Sequence, residues 1–157
     1  MKRVIALAFF LIALTAAATA QNTEAKPAKA MPPANGSTAA NEATAREATE
    51  KLVAKYTLNA DQGKEMYTIQ LRKLRNLDSF AALQTSNRSL YLSKLESLQK
   101  GTLSSIRRLL RTKEQVELYQ KTQSEVRSQR AVKRKELTVK NASKEEMQAA
   151  MLEIYSE

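Results

Sequence analysis

Seven arginines hold most of the recognition chemistry this sequence can offer: Arg72, Arg75, Arg107, Arg108, Arg111, Arg127 and Arg130. A guanidinium is planar, permanently charged and weakly hydrated, so it grips carboxylates through paired hydrogen bonds and stacks on flat apolar groups. Arg107, Arg108 and Arg111 close one helical run, and Arg72 and Arg75 stand in the run before it. Together they form the expected client-binding surface, extended by Arg127 and Arg130 further along. Bond-making chemistry is harder to assemble. The sequence has no His and no Cys, which removes the thiolate nucleophile, the disulfide framework and the common zinc ligand sets. A Ser–Lys pair or a carboxylate dyad would need a shared pocket, yet the glutamates scatter over polar faces and no Gly-rich phosphate loop occurs. The expectation is a binding protein with no enzymatic activity, no cofactor and no metal.

The elements that must position these arginines begin well inside the chain. "MKRVIALAFFLIALTAAATAQ" reads as a secretory signal peptide: Lys2 and Arg3, an apolar run from Val4 to Leu14, then Ala18-Thr19-Ala20 with cleavage after Ala20. Removing residues 1–20 would take two of the 26 basic residues and none of the 16 acidic ones, leaving a net charge of +8. Residues 21–40 hold all three prolines and almost no large apolar side chain, so they read as a flexible leader. Residues 41–137 are the expected helical domain, and residues 138–157 a linker with a short helix. Location in the periplasm follows from the signal peptide.

Three glycines, no Trp and an abundance of Leu, Lys, Glu, Gln and Ala point to long helices. Ala45, Ala48, Leu52, Val53 and Tyr56 make a thin apolar stripe over 41–56. "NADQ" from Asn59 and "TKEQ" from Thr112 then have the form of capping boxes. Asn59 or Thr112 accepts from the backbone N–H three residues on, and Gln62 or Gln115 reaches back to the N–H of the cap. "SKEE" from Ser143 is a third. After the first box Met66, Ile69, Leu77 and Phe80 share a face, with Lys73 inside that stripe. The polar patch Gln84–Ser89 reads as the turn of a helical hairpin. Its second helix runs from about Leu90 to Arg111, with Leu92, Leu95, Leu98, Leu103, Ile106, Leu109 and Leu110 on one side and Gly101 in its interior. Beyond Thr112 the stripe Val116, Tyr119, Gln123, Val126, Arg130, Lys133 and Leu137 turns from apolar to basic. "RSQRAVKRK", from Arg127 to Lys135, is therefore expected to be an exposed basic arm or half of a dimer contact. The fold class expected is all-α, four to five helices around a long helical hairpin.

The two helix openings resemble the paired LTxxQ motifs of the Spy/CpxP family, small helical periplasmic chaperones and envelope-stress regulators. Leu58-Asn59-Ala60-Asp61-Gln62 matches the first motif with Asn for Thr, which keeps the capping chemistry. Arg111-Thr112-Lys113-Glu114-Gln115 matches the second with Arg for Leu; Leu110 stands one place earlier and could substitute. The resemblance spans roughly residues 41–137. It implies a curved helical cradle, commonly a homodimer, that suppresses aggregation of unfolded envelope proteins without ATP. Zinc, bound by some relatives, has no His or Cys to hold it here. In this reading Asn59, Gln62, Thr112 and Gln115 are structural caps and do not touch clients.

Strong positive charge also suits nucleic acid, but an exported chain without basic–aromatic interleaving is not expected to bind DNA or RNA. Peripheral contact with anionic lipid is compatible with the basic arm, and would be electrostatic because residues 127–140 carry little apolar surface to insert. The expected function is capture of unfolded or misfolded envelope proteins on a mixed cationic and apolar helical surface. The alternative is a non-chaperone envelope protein, a stress-sensor regulator or structural protein, binding a sensor domain, anionic lipid or cell-wall polymer through that arm.

Overall fold

Residues with straight side chains and good helix propensity, interrupted by few glycines and no proline after Pro33, leave little competition for the helix. The computed structural model describes residues 38–157, and every regular element among them is an α-helix. These are α1 (Thr38–Tyr56), α2 (Ala60–Phe80), α3 (Leu83–Ser86), α4 (Arg88–Leu109), α5 (Lys113–Val139) and α6 (Lys144–Glu153). The expected all-α fold with a helical hairpin, α2 against α4, is what the chain forms. Its helices number six among the described residues, because the polar patch before α4 winds into the single turn α3. Asn87 then caps α4 by accepting from the N–H of Leu90 at 3.1 Å, two residues before the start expected. The segments read from the sequence as a signal peptide and, up to residue 37, a leader lie outside the described residues, and Thr38 to Ala40 belong to α1.

The helix ends are set by local chemistry. All three capping boxes form, at Asn59, Thr112 and Ser143. After α1, Thr57 takes the left-handed backbone at φ 51°, and the N–H of Leu58 reaches the carbonyl of Val53 at 3.0 Å. That is the Schellman closure, which satisfies a carbonyl left over at the helix end. A β-branched residue is strained in that region. Asn141, at φ 52°, closes α5 the same way through Ala142 and Leu137, with a side chain that tolerates the conformation better. The connections at 57–59 and 140–143 are three and four residues long, and α2 returns along α1 as α6 does along α5.

The core gathers around the connections at 57–59 and 110–112. Leu52, Tyr56, Leu58, Met66, Ile106, Leu109 and Leu110 are buried together, with Val53, Ile69, Val116 and Tyr119 packed around them. Leu110 is thus the apolar residue that precedes the second cap, in the place that Arg111 cannot fill. Ile106 is wholly buried, and such burial contributes roughly 1.5–3 kcal/mol. Phe80 meets Tyr91 edge-on at 5.7 Å and closes the far end of the α2–α4 hairpin.

Most of the basic segment Arg127–Lys135 is exposed, as expected of an arm, but one side of it is covered. Helix α6 folds back against α4 and α5 through Arg88–Glu145 at 3.1 Å and Gln148–Glu96 at 3.1 Å. Arg130 is half-buried beneath it, while Arg127 and Lys135 stay exposed. Gln123 and Arg130, two polar positions of the stripe, are matched by backbone carbonyls of the segment after α6, a pairing that hydrophobic periodicity does not register, while Lys133 pairs with Glu136.

Gly101 lies exposed in α4, and a Cβ there would meet nothing within 4 Å. The Gly101→Ala chain is expected to melt higher, by the ~1 kcal/mol that separates the two residues in a helix interior. Thermal denaturation followed by circular dichroism checks this; an unchanged or lower midpoint would assign the glycine a role in shaping α4.

Candidate functional site

The two capping boxes meet. Gln62 Oε1 accepts from the N–H of Asn59 at 3.1 Å, as its box requires, while Gln62 Nε2 donates to the Leu109 carbonyl at 2.9 Å and to Gln115 Oε1 at 3.0 Å. Gln115 answers in kind: Oε1 accepts from the N–H groups of Arg111 at 3.0 Å and Thr112 at 3.3 Å, and Nε2 donates to the Thr57 carbonyl at 3.2 Å and Gln62 Oε1 at 3.1 Å. Both side chains are almost fully buried, at 2% and 4% exposure. Each uses both amide protons, and each oxygen takes at least two donors, so neither leaves a polar group unpaired in the interior. A capping box accepts Glu as readily as Gln, but a carboxylate could not donate to the facing residue.

Outside this junction, α2 and α4 enclose a groove of about 350 Å³ lined by Glu65, Thr68, Ile69, Arg72, Ser105, Arg108 and Leu109. Arg72 and Arg108 both turn to Ser105 Oγ, at 3.0 Å and 3.5 Å, and Arg111 pairs with Glu65 at 3.1 Å. That ion pair is well exposed on both sides and contributes little to stability. Three of the seven arginines singled out in the sequence therefore converge. Arg75 stands exposed a turn beyond Arg72. Arg107 lies on another side of α4, near enough to Tyr119 for its charge to oppose the upward push that burial gives that phenol. Arg127 is exposed on α5, away from the groove lining, and Arg130 is committed to the Ile154 carbonyl at 2.9 Å.

A second polar cluster was not legible in the sequence beyond the single oddity of Lys73. Residues after α6 are held by side chains of α1, α2 and α5, and Glu157 sits at the centre, its side chain only 9% exposed. Gln70 and Lys73 bond its carboxylate from α2, the Tyr155 hydroxyl donates to it at 2.8 Å, and Lys55 of α1 reaches its backbone oxygen. Lys73 neither snorkels to open solvent nor faces a dry core: its ammonium meets Glu157 and lies 5.4 Å from the centre of the Tyr155 ring. Burial depresses the Lys55 ammonium, with Glu125 and Glu157 opposing. Burial, then the Glu157 charge, push the Tyr155 phenol far above the ordinary tyrosine range. Tyr56 is raised chiefly by burial as well.

No family model, no curated protein and no solved structure matches this chain. Among the described residues, no three or more His, Cys, Asp or Glu side chains are grouped to hold a metal ion, and no helix is long and apolar enough to cross a membrane.

Two outcomes are expected of this geometry. Thr112→Ala should cost the ~1 kcal/mol of a lost cap, whereas Gln115→Glu, which keeps an acceptor for the box, should cost more, about 2–3 kcal/mol, because it leaves Gln62 and Thr57 facing a carboxylate. Urea unfolding of the two variants checks the order; equal losses would reduce Gln115 to a local cap. The second concerns alkali. Tyr155 is buried as the neutral phenol and its folded pKa lies above the unfolded one, so its contribution is intact below about pH 10 and is lost as pH rises further. Phenolate absorbance and helical ellipticity should therefore show a shared late transition. If all five tyrosines ionised while the helices and the α6 contacts stayed intact, Tyr155 would be open to solvent.

Proposed function

We propose that this chain is an ATP-independent, chaperone-like binding protein of the periplasm that captures unfolded or misfolded envelope proteins, without chemistry of its own. The observation that carries the reading is the α2–α4 groove, where Arg72, Arg108 and Arg111 border Ile69 and Leu109 with Glu65 as the acid in the lining. Unfolded segments present carboxylates and apolar side chains together, with no fixed spacing. Guanidinium groups attract the first over distance and stack loosely on the second, and the apolar floor adds contact without directional demands. Such a surface favours breadth over affinity. The resemblance of the two helix openings to the Spy/CpxP motifs points to the same role.

The test is aggregation of a chemically unfolded, unrelated protein on dilution, followed by light scattering without nucleotide. The chain is expected to suppress scattering at near-stoichiometric ratios, partly so at moderate salt because the apolar contacts persist. Arg72→Glu with Arg108→Glu should remove most of the effect while leaving helix content unchanged. Absence of suppression at both low and moderate salt would overturn general chaperoning and turn attention to a sensor-domain or envelope-anchor role.

A further inference from the structure

Helix α6 stops at Glu153, and the next residues run on without regular structure against the rest of the protein. Side chains hold their carbonyls at Ile154 and Ser156, and also that of Leu152 in the last turn of the helix. Gln99 of α4 donates to Leu152 at 2.9 Å, Arg130 of α5 to Ile154 at 2.9 Å, and Gln123 of α5 to Ser156 at 3.0 Å. An alternating pattern of this kind is how an extended chain presents its carbonyls to one side, and donors that grip only backbone place no demand on sequence. Selectivity comes from the other contacts. Lys73 and Gln70 take the carboxylate of Glu157, and the Tyr155 ring lies beside the Lys73 ammonium.

We propose that this seat is a binding site for extended peptide segments with an aromatic residue two places before a carboxylate, and that Ile154–Glu157 occupies it as an internal ligand. The seat is built for an acid. Gln70 is 1% exposed, and Lys73 stands inside the apolar stripe of α2, where an ammonium without an anion would be costly. Apart from Glu157 itself, no carboxylate is ion-paired with Lys73 among the described residues. The occupant is held by hydrogen bonds and charge more than by deep apolar burial: Ile154, Tyr155 and Ser156 are only partly buried, and the side chain that is well covered is the Glu157 carboxylate. Such contacts can be exchanged for the same contacts made by another chain. Because the occupant is tethered, a competing peptide faces an effective concentration in the millimolar range, so the seat filters for segments that match it well. This proposal stands apart from the α2–α4 groove. Lys73 and Arg72 point about 100° apart around α2.

The Tyr155→Trp chain carries the sole indole in the sequence and reports on the seat directly. Its emission is expected at short wavelength, moving to the solvent-exposed position as the peptide LEIYSE is added, and unmoved by LKISSK. In parallel, fluorescence anisotropy of labelled LEIYSE compares the unchanged chain with a release variant, Tyr155→Ser with Glu157→Lys. The release variant should bind at least tenfold more tightly, and adding Lys73→Met to it should abolish binding. Arg72→Glu with Arg108→Glu should leave this binding intact, which separates the seat from the aggregation assay. Binding by a folded release variant no tighter than by the unchanged chain would overturn the proposal. So would an indole exposed before any peptide is added, or one unmoved at millimolar peptide. Should the release variant lose its helices, the indole decides alone.

Discussion

The fold turns on two primary amides facing each other in the interior. A buried polar group is costly unless every donor and acceptor finds a partner, and Gln62 and Gln115 find theirs only in one relative placement of the helices they open. The backbone carbonyls of Thr57 and Leu109 and the N–H groups of Asn59, Arg111 and Thr112 are all drawn into that arrangement. The apolar residues around it set how much free energy is gained; the amides set which geometry gains it. Met66 and Ile106 would pack well enough at several angles. Only one of those angles lets both capping boxes close and exchange hydrogen bonds.

That division explains what the sequence disclosed and what it withheld. Capping is local: cap and amide are three residues apart, so Asn59 with Gln62 and Thr112 with Gln115 announce two helix starts to anyone reading the chain. The meeting of the boxes spans 53 residues, and no local rule ties one glutamine to another at that distance. The apolar stripes of α2 and α4 were likewise legible as faces. The interior polar members, Gln70 and Thr102, were not, because a periodicity of hydrophobic residues skips over them. Lys73 was visible as an anomaly, a charge where the period called for an apolar residue, and its explanation lay 84 residues away at Glu157. The stripe along α5 read as an arm for the same reason. Gln123 and Arg130 look like solvent residues until the chain that returns over them is in place.

Of the seven arginines chosen as a surface, those whose helices pack side by side come together and the others part company. Arg72 and Arg108 converge on one serine because α2 and α4 run as a hairpin. Arg107 precedes Arg108 in sequence but lies about 100° round the helix from it and belongs to another neighbourhood, beside Tyr119. Proximity in sequence grouped them; the helical turn separated them. The molecule therefore carries two cationic surfaces of opposite construction. One is a shallow groove rimmed by guanidinium groups, and the other is a seat that dictates backbone spacing and places one ammonium with care.

Nothing in the amide junction can gain or lose a proton in the range where the helices survive, and neutral dipoles held out of water are scarcely affected by dissolved ions. The frame that sets the helix angles is thus indifferent to acidity and ionic strength. Around it the contacts are ionic: Arg111 with Glu65 is open to solvent and to screening by salt, and Lys73 meets Glu157. Dissolved salt can then weaken the Arg111–Glu65 pair without disturbing the architecture that sets the helix angles, so the electrostatics of that surface can change while the fold stays in place.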